Sequence, residues 1–473
     1  MGRWRSGATA AAIGAVLVMA GCTADPKPAA TPAGGTPTPG GTSSTAPASA
    51  DGVQHSPNAR LVANVPLSKP FDGEHALGSD LAFQGDFAFV GNFQGFTIVD
   101  ISDPAKPKVV TRVVCPGSQN DISVSGNLLF LSVDEPRDGD TCTSGDGDPA
   151  EGWEGIRIFD ISDKTKPRYI KSLATDCGSH THTLVPGKDA SKVYLYISSF
   201  GPLSGPHCAP PHDSIAVVEV PVQNPAQAKV VSQPVLFHDG EDDSKPGATS
   251  GCHDITVYPE KDLAAGACIG NGILMDISDR AQPKVLQQVI DTENFSTWHS
   301  ATFSNDASRV IFSDELGGGM SPTCDAKTGP LHGADAVYDI TADRKLKRRG
   351  YFKIPRYQTA TENCVSHNGS LIPVPGKTIL VQGWYQGGVS VADFTDPDHP
   401  KEIAYVDRGP VDPDGGEPRI AGSWSAYYYN GYIYSSDMTK GLDIIAIDDP
   451  LTDPAKPVRM DELNPQTQVS YPE

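Results

Sequence analysis

Four histidines, His180, His253, His299 and His367, stand at one register of a repeating chain, each six residues ahead of the turn that ends a short strand, at Pro186, Pro259, Asn305 and Pro373. Side chains at equivalent positions of repeats set in a ring face one another, so the four imidazoles would converge. Neutral imidazole suits a borderline transition metal such as copper, iron, zinc or nickel, and three or four such ligands make a complete site. A single strand-start histidine is ordinarily just a hydrogen-bonded polar residue; the shared register is what points to a metal. His182, two residues after His180, faces the same side one step deeper and is a further candidate ligand. The same count puts Ser79, Asn120 and Trp424 or Ser425 at the matching positions of three other repeats.

Acids that orient an imidazole or handle protons should reach the same face. Glu135, Glu315, Glu362 and Asp437 are the candidates, each weighed against the plainer reading of a solvated loop acid. Trp384 would wall an apolar pocket there, or else serve ordinary packing between repeats. Asp100, Asp160, Asp276, Asp339 and Asp393 recur once per repeat beside Ser, Thr and Pro, which reads as turn capping rather than calcium binding. No Gly-x-Ser-x-Gly elbow, phosphate-binding glycine loop, dinucleotide fingerprint or His-Glu-x-x-His stretch is present, so hydrolase, nucleotide and zincin readings lack their usual warrant.

The elements that must carry these residues are short. The repeated phrase is clearest as Gly95-Phe-Thr-Ile-Val-Asp-Ile-Ser-Asp-Pro-Ala-Lys-Pro-Lys-Val-Val110, and aligning its acid gives Asp100, Asp160, Glu219, Asp276, Asp339 and Asp393, about 54 to 63 residues apart. A seventh copy, Gly441 to Pro450, has Ala446 in place of the acid. The runs are β-branched and punctuated by Gly and Pro, with little helical periodicity. Four strands per repeat at this spacing is the period of a propeller blade. The expectation is an all-β chain, a seven-bladed β-propeller of four-stranded antiparallel blades spanning 58–473. Asn58 to Pro66 reads as the outer strand of the seventh blade; Lys456 to Asp461 is the competing closure.

The phrase above, with Gly155-Ile-Arg-Ile-Phe-Asp-Ile-Ser-Asp163, Gly272-Ile-Leu-Met-Asp-Ile-Ser-Asp279 and Gly388-Val-Ser-Val-Ala-Asp-Phe-Thr-Asp-Pro397, resembles the LVIVD-repeat family of bacterial exported propellers. The resemblance spans Leu61 to Asp449 and implies fold far more than activity. More distantly the chain is similar to selenium-binding protein and methanethiol oxidase propellers, which implies copper held by axial histidines as an analogy of fold.

Arg3 and Arg5 precede the apolar run Ala8 to Met19 and then Met19-Ala20-Gly21-Cys22, so residues 1–21 read as a lipoprotein signal peptide with Cys22 as the lipidated residue. Residues 22–57 are a Pro/Ala/Thr/Gly tether with little to bury. The expected location is extracytoplasmic, anchored to the membrane by its N-terminal lipid alone. Eight further cysteines in an oxidising compartment favour disulfides. Of the 105 possible pairings, repeat geometry favours neighbours: Cys115 with Cys142, Cys177 with Cys208, Cys252 with Cys268, and Cys324 with Cys364, the last bridging two repeats. A formal net charge of −21 argues against nucleic acid as partner; a monomer is expected. The leading functional reading is a histidine-ligated copper, iron or zinc site at the axial mouth, serving oxidation of a small molecule. The competing one is a non-catalytic recognition propeller that binds a protein or a cell-envelope glycan.

Overall fold

The computed structural model describes residues 52–149, 151–199, 208–237, 249, 251–412 and 418–471. The expected signal segment, Cys22 and most of the tether lie outside the described residues. Among the described residues no helix is long and apolar enough to cross a membrane.

The strands form seven antiparallel four-stranded blades, two of them joined into one continuous sheet by a parallel contact of Asn368 with Ser425 and Gly369 with Ala426. The chain is a β-propeller. Its inner strands are Gly78–Gln84, Ile122–Ser125, Thr181–Pro186, Ile255–Tyr258, Trp298–Phe303, Asn368–Ile372 and Ser423–Tyr429, for blades one to seven. Ring closure follows the first of the two expected routes: Ala59–Val65 pairs with Gly441–Ile447 as the outer strand of blade seven. Sheet pairing also begins earlier than residue 58, because Gln54 and His55 pair with Asp407 and Val406 at the rim of blade six.

The repeated phrase has a local physical logic. Each phrase strand pairs with the blade's outer strand across a register shift, between Ile98 and Val99 in blade one and at a similar place in the other six. Such a bulge bends and twists the strand pair. The glycine that opens the phrase is demanded by close approach: Gly95 and Gly155 hold φ of 141° and 145°, and a Cβ there would sit 1.9 Å from the Val113 carbonyl oxygen and 2.2 Å from that of Leu173. The acid that closes the phrase caps the turn, with Asp100, Asp160, Asp276 and Asp393 accepting from the amides of Ser102, Ser162, Ser278 and Thr395 at 2.8–2.9 Å. These bonds, with Arg168 close by, hold the Asp160 carboxyl down to about 2. Asp339 departs from the pattern and pairs with Arg309 and Arg349 instead.

Seven apolar clusters fill the seven blade interfaces, so the core is a ring of separate seams. Phe130, Leu184, Leu195 and Val218 join blades two and three, for example, while Phe83, Tyr427, Tyr429 and Leu442 join blades one and seven. Fully burying a Phe or Leu side chain stabilises by about 1.5–3 kcal/mol, and each seam holds ten or more buried residues. The disulfides are Cys115–Cys142, Cys177–Cys208, Cys252–Cys268 and Cys324–Cys364, the pairing of neighbours expected from the repeat. All eight cysteines lie on the face where the inner strands begin. Four disulfides fit an oxidising compartment.

The opposite face is finished by a segment with no counterpart in the repeats. Glu462–Leu463 pairs with Gln84 and Phe83 of blade one, and Asn464 then bonds both the amide and the carbonyl of Val124 in blade two, at 2.7 and 2.8 Å. The Thr467 hydroxyl donates to the Leu184 carbonyl in blade three. Val257 of blade four exchanges backbone hydrogen bonds with Gln466 and Gln468, and the Tyr471 amide reaches Asn305 beyond the inner strand of blade five. The cord therefore crosses the far ends of five inner strands.

Candidate metal centre

At the opposite end of those strands the four register histidines meet. Each is supplied just before or at the start of an inner strand, in blades three to six, and all four are buried. Ring centroids are 4.5 Å apart for His180 and His253, 3.8 Å for His253 and His299, and 4.0 Å for His299 and His367. The imidazoles form an arc, with Glu315 on its inner side. Glu315 Oε2 stands 3.8 Å from His299 Nε2, and Oε1 stands 3.7 Å from His367 Nε2. One ligand atom from each of His253, His299 and Glu315 falls within 4.8 Å of the others.

The partners around the arc decide where its lone pairs point. His367 Nδ1 faces the Trp424 carbonyl oxygen, so Nδ1 carries the proton and Nε2 offers a lone pair on the Glu315 side. Both ring nitrogens of His299 are buried without a hydrogen-bond partner, and so is His367 Nε2. His180 Nδ1 contacts Asp134 Oδ2 at 2.5 Å, and its Nε2 faces His253 Nε2 at 2.8 Å. His253 Nδ1 lies 3.1 Å from Asp254 Oδ1. With both Nδ1 atoms turned to carboxylates, the short contact between the Nε2 atoms needs a proton between them.

The electrostatics agree with this assignment. Burial holds His299 and His367 well below the usual imidazole range, and neighbouring histidines push the same way; burial and His180 do the same to His253. The rings of His299 and His367 are neutral with lone pairs available, whereas His253 Nε2 is engaged with His180. Burial also opposes the His180 cation, but Asp134 outweighs it and the net shift is upward. Burial raises the Glu315 carboxyl to about 7 against the hydrogen bond it accepts from Tyr385.

The remaining sequence candidates are placed differently. His182 lies one step deeper, with Nε2 2.7 Å from Ser123 Oγ and Nδ1 2.8 Å from Ser132 Oγ, so both of its nitrogens are engaged by hydroxyls. Burial lowers it to about 3. Glu135 points outward to Arg137 at 3.3 Å. Glu362 folds back on Thr359, and Asp437 caps the turn at Thr439 and Lys440. Trp384 packs against Phe352 in the seam between blades five and six. Of the proposed acids, Glu315 alone joins the arc.

Three groups that sequence reasoning passed over complete the centre. Asp134 precedes Glu135 on the strand Leu128–Arg137, and strand alternation turns it to the other side. Asp254 follows His253 directly. Tyr385 sits at φ 50° between blades six and seven, pinned by reciprocal backbone bonds with Ser423; its ring lies 4.7 Å from that of His367, and the Trp424 ring lies 4.5 Å from His367 and 6.0 Å from Tyr385. Tyr385, Trp424, Val365 and Met438 form an eighth apolar cluster at the mouth, rimmed by Leu77, Phe93, Leu316 and Ile420. A buried, neutral nitrogen-rich arc under an apolar rim can bind a cation and hold a small molecule beside it.

Comparison with known proteins bears on the scaffold. The LVIVD repeat model matches residues 78–114 and 150–175. No curated protein matches. A chain of the hydrazine synthase of Kuenenia stuttgartiensis superposes with a TM-score of 0.52 at 12% identity, covering 81% of this chain and 99% of that one. The β-propeller domain of Cps50 (Swd1) from Myceliophteria thermophila gives a TM-score of 0.48 at 10% identity, with 78% and 96% covered. At these identities the likeness is one of fold.

Proposed function

We propose that this chain is an exported, lipid-anchored propeller that holds one transition metal, copper, iron or zinc, with His299, His367, Glu315 and His253 as ligands, His253 releasing on binding the proton its Nε2 shares with His180, and that it oxidises a small molecule at the apolar mouth. The observation that carries the reading is His299. A buried imidazole with neither nitrogen hydrogen-bonded is costly, on the order of 1–3 kcal/mol per polar group, unless a ligand satisfies it. Arms of about 2.0–2.1 Å from a metal place ligand atoms roughly 3.4 Å apart in a tetrahedral site, so separations of 3.7 and 3.8 Å need only a small contraction. A bound metal that accepts a fifth ligand beside these four would supply Lewis acidity or redox chemistry. The chain's own part is to keep the histidines neutral, to fix Glu315 through Tyr385, and to keep bulk water out through the rim. Envelope export rests on the N-terminal sequence and agrees with the disulfides; the lipid on Cys22 is testable by mass.

Elemental analysis of protein made with its disulfides intact tests the centre. We expect about one transition metal per chain, lost in His299→Ala and His253→Ala while the fold is kept. Protein that stays metal-free after supplementation overturns the reading. The second reading, a recognition propeller for a protein or envelope glycan, is favoured by one observation. Of the exposed large apolar residues among those described, Val114 ends the outer strand Lys108–Val114 on the histidine-bearing face, Val235, Ile290, Met320, Leu331 and Tyr357 lie in connections on that face, and Leu451 lies on the other.

A further inference from the structure

A second group of metal-type donors lies outside the axial arc. His212 Nδ1 stands 3.5 Å from Cys177 Sγ and 3.8 Å from Cys208 Sγ, set against both sulfurs of one disulfide. The group borders a cavity of about 360 Å³ that Asp176, Ser199 and Gln233 also line. In the Cys252–Cys268 and Cys324–Cys364 bridges both residues are buried at 2% exposure or less, whereas Cys177, half-buried like Cys142 of the remaining bridge, lines this cavity. The Cys177–Cys208 bridge is thus open to small reagents from the cavity side.

The geometry is close to that of a bound cation. Tetrahedral zinc, with sulfur at about 2.3 Å and nitrogen at about 2.0–2.1 Å, sets sulfur–nitrogen separations of roughly 3.5 Å and a sulfur–sulfur separation of roughly 3.8 Å. Both sulfur–nitrogen distances already fit. Only the covalent bond keeps the sulfurs too close.

We infer that Cys177, Cys208 and His212 become a binding site for a thiophilic divalent cation of the zinc or cadmium type when this disulfide is reduced, with the fourth position opening on the cavity. The chemistry balances. A dithiol delivers two electrons and two protons, the sulfur–sulfur bond breaks, two thiols form, and the reductant leaves as its own disulfide. Cation binding then releases the two thiol protons, and the Nδ1 atom of His212 faces the cation as the third donor. In an oxidising compartment the site is shut; under reducing conditions it opens. The inference is independent of the axial centre, whose donors include no sulfur.

The test is a cadmium titration of the full chain after brief treatment with a water-soluble phosphine, which reduces the disulfide, leaves as its oxide with oxygen from water, and does not compete for the metal. Reduced protein should take up one cadmium per chain with thiolate-to-metal charge-transfer absorption in the ultraviolet, and oxidised protein should show no such band. His212→Ala should weaken uptake by about tenfold or more, and the double substitution Cys177→Ser with Cys208→Ser should abolish the band. Alkylating the freed thiols of the unsubstituted protein should abolish it too, a readout that needs no variant to fold. Absence of the band in reduced protein, its survival in the double variant, or an affinity unchanged by His212→Ala overturns the inference. The band belongs to thiolate ligands, so failure of the axial centre to bind metal leaves the result intact.

Discussion

His180 and His182 sit two residues apart on one strand start and have opposite fates. His180 meets Asp134 and His253, whereas His182 is consumed by two serine hydroxyls. We therefore expect His182→Ala to leave metal content unchanged while lowering stability by about 1–3 kcal/mol, because Ser123 and Ser132 lose buried partners; denaturant unfolding with parallel elemental analysis checks this, and metal loss from a folded variant would refute it. The register of the four ring histidines was legible because it depends only on counting back from a turn. The choice between Asp134 and Glu135 was not, since it needs the strand's phase, which the extension of that strand to Arg137 sets. Tyr385 was illegible for another reason: a left-handed backbone and the bare surface of Gly319, where a Cβ would meet the Tyr385 ring at 2.7 Å, bring it to Glu315. Neither feature belongs to the repeat.

Among the elements, the phrase strand announced itself, since its glycine, its apolar run and its capping acid are each required by local geometry. The cord from Glu462 to Tyr471 did not. Its residues lack the β-branched alternation of a strand and hold the ring through Asn, Gln and Thr side chains. Ending the chain after Asp461 would leave the Val124 and Val257 backbone groups without these partners, at about 1 kcal/mol for each lost hydrogen bond. We expect a lower unfolding temperature with metal content preserved, because the cord touches the ends of the inner strands away from the histidines. Calorimetry and elemental analysis of the shortened chain decide it; an unchanged unfolding temperature would show that the cord contributes nothing.

For the molecule as a whole, the seven-fold period fixed the architecture in advance, while the buried charge it encloses emerged only in three dimensions. Burial raises Asp335 to about 8 despite a hydrogen bond from Gln382, and Asp314 and Asp443 to about 6. An acid with a raised folded-state pKa contributes stability that is complete below its unfolded value, near 4, and is lost as pH climbs through the folded value. Turn-capping acids act oppositely: Asp160, held at about 2, contributes above pH 4 and loses that contribution as pH falls toward 2. The buried histidines, held below the usual imidazole range, add stability as pH rises toward about 6.5; above that only the acids titrate, so metal-free protein should show an unfolding temperature that declines from about pH 6.5 to pH 8, and Asp335→Asn should flatten that limb. A temperature that rises steadily across that interval would contradict the assignment. One consequence concerns the order in which the ring is made. Blade seven borrows Ala59–Val65 from early in the chain, so that strand must wait through the synthesis of six blades with its edge uncovered, a hazard for sticking to other chains. The histidine arc spans blades three to six only, and its nitrogens can gather around a cation while the circle is still an open horseshoe.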